Sequence, residues 1–568
     1  MKKQILIGAE FFEKVIEGNY FYIDKTLFIK ELLENKGDVT LITRPRRFGK
    51  TMNMSMLQSF FDITKDSKVF FEGLKIMDYK ELVEKHQNKY PVFFMTLKGI
   101  NGRNFEESLD DIRIIISYLF RQNRYLYESD IFDEDHKKKY HSYLAETSSL
   151  SDLKFALRFL SESLYTYHKK RVIILLDEYD APIDNSVLNG YYKEMIDFMR
   201  GFLGNVFKTN DFLEFGVLTG VQRISRESLL SSFNNPKICG ILDKSFSTCF
   251  GFTESEVITA CQVYGLADKF EKVKEWYNGY LFGEQQDMYN PWSITGFLSE
   301  NRFKNYWVNT GGIDILSNIF FKGSSTLKDE IAGLLTDKPI KMKYVEHITY
   351  PIEYVNNDYF WSMLLNTGYI KPCVDSTENI FYAELVNLEI KNILSDCINI
   401  WFKRQQPTIQ KNIQEFVEYL MNGDEQGVQT VLNEEILNNP SCHDFKEENS
   451  YHLFIFGILL AVTSDYVVYS NPESGKGRSD CLIKPNNKDQ YAVVIEFKHC
   501  KSRPTLQDGI KGGFIDILQE EAQKGLDQID EKAYIHNLKK EGFNKIYKYS
   551  IAFYQKNCLV MLECDEGI

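Results

Sequence analysis

Residues 43–51, TRPRRFGKT, decide how the N-terminal half of this 568-residue chain is read. The phosphate-binding pattern G-x-x-x-x-G-K-[ST] is filled at its last three positions by Gly49, Lys50 and Thr51, but Arg44 stands where the first glycine belongs. The flanks decide between a variant loop and a chance match. DVTLIT (38–43) is a short apolar run of the kind that forms a buried strand, and GKTMNMSMLQSFFD from Gly49 carries apolar residues at helical spacing. A loop between strand and helix presents unpaired N–H groups to a phosphate. Lys50 is then expected to reach the outer phosphates of ATP and the Thr51 hydroxyl to ligate magnesium, with Arg46, Arg47, Phe48 and Gly49 completing the nucleotide loop. Pro45 fixes its own φ and biases Arg44 toward extended backbone, so the first corner departs from a glycine turn.

A P-loop needs an acidic strand, and RVIILLDEYD (171–180) supplies one. Its five consecutive apolar residues read as a parallel strand covered on both faces, ending in Asp177 and Glu178. Asp177 is expected to hold magnesium through water, and Glu178 to polarise the water that attacks the nucleotide. PVFFMTL (91–97) is a further strand, with a helix from about Phe105, and FLEFGVLTG (212–220) ends at Thr219 as a polar sensor, followed by Arg223. GKT alone occurs by chance, and Asp-Glu after an apolar strand is a common solvated strand end. Their order and context together make a nucleotide site. An extra strand between the P-loop and the acidic strand, with the Asp-Glu pair, resembles the additional-strand catalytic-glutamate ATPases.

Composition bounds the rest. With 43% hydrophobic and 26% charged residues the chain is globular, and its length implies roughly three or four cores. A net charge of -13 argues against general coating of nucleic acid, which requires Lys and Arg to neutralise phosphates. Local basic patches remain, at Arg44, Arg46 and Arg47 and at Lys498, Lys501 and Arg503, and such clusters are most often solvated surface charge. None of the ten cysteines forms C-x-x-C, so a reducing cytoplasm is expected. The apolar run 453–463 is too short to span a bilayer and the N-terminal apolar run too short for a signal peptide, so the expected protein is soluble with no membrane partner. From about 250 to 405 short apolar helices alternate with aromatic turns, WYNGY (276–280) and YNPWSI (289–294), whose tryptophans read as core anchors. The polar, proline-containing stretch 403–414 reads as a hinge.

The C-terminal chemistry lies in SGKGRSDCLI (474–483) and YAVVIEFKHC (491–500), which read as a two-stranded hairpin. Alternation puts Glu496 and Lys498 on one face, and pairing brings Asp480 to the same edge. Two carboxylates offer hard oxygen ligands for magnesium, with Lys498 to orient or deprotonate water, which is phosphodiester chemistry. Glu448 upstream is expected to add an outer ligand. A lone E-x-K is more often a solvated pair on an edge strand, and the preceding G-x-G-R-x-D is what favours a site.

FYIDKT (21–26), TRPRRFGKT, LLDEYDAPI, VLTGVQRIS, SFNNP (232–236), FGFTESEV (250–257), WYNGY, YNPWSI and YWVNTGG (306–312) together resemble a bacterial family described as AAA-ATPase-like with a C-terminal nuclease-like domain. In that family an arginine at the first P-loop glycine is normal. The C-terminal motif resembles the PD-(D/E)XK superfamily, with Ser479-Asp480 in place of Pro-Asp and with Gln528 and Tyr534 matching a further motif on the following helix. The resemblance implies Asp480 and Glu496 as metal ligands and Lys498 as catalytic lysine.

The expected architecture is α/β: a P-loop ATPase domain (1–249), a helical lid and connector (250–405), and a restriction-endonuclease-like α/β domain (406–568). The expected function is an ATP-binding ATPase controlling a magnesium-dependent nuclease acting on DNA or RNA, with a setting in mobile-element or phage conflict implied by the resemblance alone. The rival expectation is a nucleotide-switched module that grips nucleic acid or protein through a non-cleaving nuclease fold.

Overall fold

The computed structural model describes residues 2–208, 210–224, 229, 236–307, 325–335, 337–347, 357–373, 380–395, 409–436, 455, 459, 466–470, 473–474, 477–500, 514–554 and 557–566. The chain divides into two compact units, Met1–Val308 with Lys341–Glu389, and Asn309–Ile340 with Ile390–Ile568.

The first unit is built on a sheet of five parallel strands: β1 (Val39–Thr43), β2 (Val92–Thr96), β3 (Val172–Asp177), β4 (Leu213–Gly220) and β5 (Lys237–Cys239), in the order β2-β3-β4-β1-β5. Every residue of β1 and β3 is buried, as the unbroken apolar runs require of strands covered on both faces. The neighbour order bears out an additional strand between the P-loop strand and the acidic strand but corrects which segment it is. The strand lying between the P-loop strand and the acidic strand is β4, which pairs with both, whereas 91–97 forms β2 at the far edge beside β3. Two segments that intervene in sequence need not intervene in a sheet, because each parallel crossover can place its strand on either side.

The register puts the chemistry at one end. Ile42 pairs with Thr219 and Thr43 with Gly220, while Leu176 pairs with Leu218, so the loop after β1, Asp177 and Thr219 all emerge at the carboxyl ends of adjacent strands. That end is where open α/β sheets bind ligands.

The region beyond 250 carries the expected short helices, Glu254–Tyr264, Phe270–Tyr277, Pro291–Glu300 and Asn357–Thr367, and two small three-stranded sheets as well. One orders β6 (Phe252–Thr253), β8 (Gln285–Tyr289) and β7 (Tyr280–Phe282); the other orders β10 (Ile370–Pro372), β11 (Ile380–Leu385) and β9 (Ile340–Lys343). The stretch read as a hinge is helical from Ile409, within helix Ile409–Asn422.

In the second unit β12 (Tyr466–Ser470), β15 (Cys481–Pro485), β16 (Ala492–His499), β17 (Lys545–Tyr554) and β18 (Asn557–Glu566) form a sheet in that order, and β13 (Glu473–Ser474) pairs with β14 (Gly477–Arg478). Only the β16–β17 pair of the five-stranded sheet is parallel. Helix Phe514–Glu531 connects those two strands and packs Leu526 and Ile529 over Val494 and Ile546. Gly525 permits the close approach: a Cβ there would collide with the Ser550 hydroxyl. Among the described residues no helix is long and apolar enough to cross a membrane.

Candidate active sites

At the carboxyl ends of β1, β3 and β4 the expected nucleotide residues meet. Helix Lys50–Phe61 starts at Gly49, whose φ of 82° favours glycine on backbone grounds alone, since a Cβ would meet nothing within 4 Å. Thr51 Oγ1 donates to Asp177 Oδ2 at 2.7 Å, and Thr219 Oγ1 donates to Asp177 Oδ1. Lys50 Nζ donates to the carbonyls of Arg44 (3.2 Å) and Pro45 (3.1 Å) and lies 3.4 Å from Glu178 Oε1. Burial pushes the Asp177 carboxyl above its ordinary range and the neighbouring Glu178 adds to it, against the two threonine hydroxyls and Lys50. Glu178 has a φ of 54°, the left-handed region that costs a non-glycine residue about 1–2 kcal/mol. Such strain collects where a side chain must be aimed.

These donors fit a magnesium nucleotide. Thr51 and Asp177 offer hard oxygens, Lys50 a buried cation, and the open turn at Gly49 leads into unpaired N–H groups at a helix start.

Beyond the carbonyl that accepts from Lys50, Arg44 turns its side chain away from that cluster. Its side chain is 0% exposed: Nη1 donates to the carbonyls of Thr43 (2.8 Å), Cys239 (3.1 Å) and Gly240 (2.8 Å), and Nη2 to those of Ser245 (3.1 Å) and Phe246 (3.3 Å), while Phe282 lies 5.1 Å below. Burial lowers its guanidinium to about 10. The arginine fastens the strand-to-loop corner to the chain following β5, so the missing glycine is replaced by a structural tie.

Arg46, Arg47 and Phe48 are held by the later aromatic motifs. The Arg46 carbonyl accepts from the Trp307 indole (3.1 Å), Arg47 stacks 4.1 Å over Trp292 and donates to the Tyr306 carbonyl (3.1 Å), and Phe48 packs against Tyr280 and Phe282. Of the two tryptophans expected as core anchors, Trp276 packs against Tyr277 and Phe303, and Trp292 packs on the same core cluster while also carrying Arg47 of the nucleotide loop. Arg223 is engaged at a distance in sequence, donating to Glu346 at 2.8 Å. Asp180 was not foreseen: its Oδ2 accepts from the backbone N–H groups of Val221 (2.8 Å) and Gln222 (2.7 Å), pinning the loop after β4, and burial with Asp184 and Glu178 nearby raises it to about 7. An acidic residue three places beyond Asp177 was its one sequence signal.

In the second unit β15 pairs with β16 as the expected hairpin. Lys498 Nζ bridges Glu496 Oε1 (2.9 Å) and Gln528 Oε1 (3.0 Å), and Gln528 Nε2 donates to Glu496 Oε1 and to the Tyr534 hydroxyl (3.1 Å). Tyr534 stands on the turn after helix Phe514–Glu531, not on it. Asp480 Oδ2 accepts the Phe497 N–H at 2.7 Å, burial raises its carboxyl, and Lys498 draws it back. Burial raises the Tyr534 phenol, the nearby Glu496 and Asp480 add to the rise, and the Gln528 hydrogen bond and Lys498 oppose it, so the three charged groups share one neighbourhood.

Two carboxylates suit magnesium, which keeps several waters and takes one or two acidic ligands. Among the described residues no cluster of three or more His, Cys, Asp or Glu side chains is assembled to hold a metal ion. Glu448, and Lys501 and Arg503 of the basic patch, lie outside the described residues.

Comparison with known proteins matches a family model to the region that carries each site. Residues 6–230 match the model of a family described as predicted AAA-ATPase, and residues 446–563 match the PD-(D/E)XK nuclease superfamily. A protein of Azotobacter chroococcum mcd 1 described as "Uncharacterized protein in vnfD 5'region" is 23% identical over 521 residues, covering 89% of this chain and 91% of that one.

Proposed function

We propose that this chain, which joins an AAA-ATPase-like domain to a PD-(D/E)XK nuclease superfamily domain, hydrolyses ATP at the first site and uses it to control phosphodiester cleavage at the second. One observation carries the reading: Asp177 is bracketed by the hydroxyls of Thr51 and Thr219, with Lys50 and Glu178 paired beside it. A solvated strand end would not bury Asp177 completely between donors from a helix and an adjacent strand.

Thr51 and Asp177 would hold magnesium at the first site, Asp480 and Glu496 at the second. Magnesium, when bound, supplies positive charge to phosphate oxygens. Lys50 binds the outer phosphates of ATP. Glu178 takes the proton of the attacking water as its oxygen bonds to the γ-phosphorus and the bridge to the β-phosphate breaks. In the second site Lys498 orients the attacking water, and Gln528 holds the Lys498–Glu496 pair in register. The polymer, DNA or RNA, is cut by water adding to phosphorus as the ester P–O bond breaks. We place the protein in the cytoplasm, and its setting in mobile-element or phage conflict rests on family likeness alone.

The test is strand cleavage by full-length protein with magnesium or manganese, with and without ATP, on plasmid, single-stranded DNA and RNA. ATP-dependent cleavage of any of these is expected. ATP binding without cleavage across the panel would replace this reading with the nucleotide-switched binding module.

A further inference from the structure

The chain leaves the first unit at Val308 and again at Glu389. Both exits are fastened together immediately before they part. Glu389 is 0% exposed, and its Oε1 accepts the backbone N–H groups of Tyr306 (2.6 Å) and Trp307 (2.8 Å), while its Oε2 accepts the Ser293 hydroxyl (2.7 Å). The same Trp307, also 0% exposed, donates its indole N–H to the Arg46 carbonyl in the nucleotide loop. Tyr306 is tied to that loop too, since its carbonyl accepts from Arg47 and from the Trp292 indole (2.9 Å).

We infer that Trp307 and Glu389 form a relay through which nucleotide held at the P-loop changes the chain entering the second unit at both exits. The inference rests on the ATPase reading above and names how its control is exerted. From the Arg46 carbonyl to the last residue before the second exit there are two hydrogen-bonded steps, indole to carbonyl and amide to carboxylate. A phosphate seated on the loop N–H groups fixes the orientation of the loop peptides. A reorientation of the Arg46 peptide either carries Trp307 with it or breaks the indole bond, and Trp307 cannot shift without disturbing the Glu389 clasp. Packed interiors respond to such displacements by switching between discrete arrangements, not by stretching.

A purely structural carboxylate would satisfy the same two amides, so the test must separate response from folding. The full chain is compared with Glu389→Ala, Glu389→Gln and Trp307→Phe. The readouts are the melting shift caused by magnesium and a non-hydrolysable ATP analogue, and the change that analogue causes in amide hydrogen exchange of helix Ser325–Leu335 and of residues 390–395. The wild type is expected to show both. Glu389→Ala keeps the melting shift, and at analogue concentrations that saturate each variant the exchange change of Glu389→Ala and of Trp307→Phe falls at least about fivefold, the lower range of allosteric couplings. Glu389→Gln, whose carbonyl still accepts both amides, restores it.

A wild type stabilised by the analogue with no exchange change beyond 308 and 389 overturns the relay alone. So does an exchange response that persists in Trp307→Phe, which keeps an aromatic ring in place if Glu389→Ala fails to fold. A wild type that the analogue does not stabilise overturns the ATPase reading itself and the relay with it.

Discussion

At position 44 a glycine would restore the general P-loop pattern and strip five backbone carbonyls of the guanidinium that now donates to them. Arg44→Gly is therefore expected to destabilise the protein by about 3 kcal/mol or more, from unpaired buried acceptors and a cavity together. Urea unfolding measures it, and a variant as stable as wild type would show that the tie is dispensable. Nothing in TRPRRFGKT reveals this, because four of the five acceptors are main-chain atoms 195–202 residues away, and a sequence does not distinguish one carbonyl from another. Lys50 and Glu178, by contrast, were legible, since their motif spacing is local. Lys50→Ala should abolish the thermal stabilisation given by ATP, which scales with ligand concentration over its dissociation constant. Glu178→Gln should bind ATP with little change and release phosphate about 10²–10⁴-fold more slowly, because the amide keeps the shape and loses the basicity. Phosphate release at the wild-type rate would remove Glu178 from the mechanism.

The elements themselves were readable where one periodicity held: β1, β3 and β4 as apolar runs, helix Lys50–Phe61 from its spacing, and the β15–β16 hairpin from alternation. Their lateral order was not, since β2 and β4 both read as strands and only packing of the crossovers decides which lies beside β1. Nor could the aromatic motifs declare their partners: Trp307 and Trp292 look the same in sequence whether their indoles meet water or a P-loop. The Glu389 clasp joins three elements and has a measurable pH signature. Burial raises its folded carboxyl to about 7, with its hydrogen bonds and Arg47 pulling the other way. The folded state thus holds a proton there that the unfolded state has lost, from the ordinary glutamate range up to about 7. Its contribution to stability is present below that range and declines as pH rises through it. Glu389→Gln cannot titrate, so the melting temperature of the variant relative to wild type should rise between pH 5 and pH 8. A constant difference across that interval would refute the assignment.

Across the whole molecule the two chemistries occupy different compact units, and each should fail separately. Asp480→Ala removes an oxygen that would bind metal, while Lys498→Ala leaves both carboxylates and removes the group that orients water. Both variants should cut nucleic acid about 10²–10⁴-fold more slowly than wild type, the usual range for loss of a positioned catalytic group. Raising the metal concentration should separate them: it offsets weakened binding in Asp480→Ala in part and does nothing for Lys498→Ala, whose defect lies beyond binding. Lys498→Ala also frees Glu496 and Gln528 from the ammonium that bridges them, so its fold must be checked by its melting transition. ATP hydrolysis should continue in both, because Lys50, Thr51, Asp177 and Glu178 all belong to the first unit. The reciprocal variant completes the argument: Lys50→Ala should leave Asp480, Glu496 and Lys498 intact yet lose the ATP dependence of cleavage. If Lys50→Ala cuts as wild type does with ATP, the two activities are carried on one chain without control of one by the other.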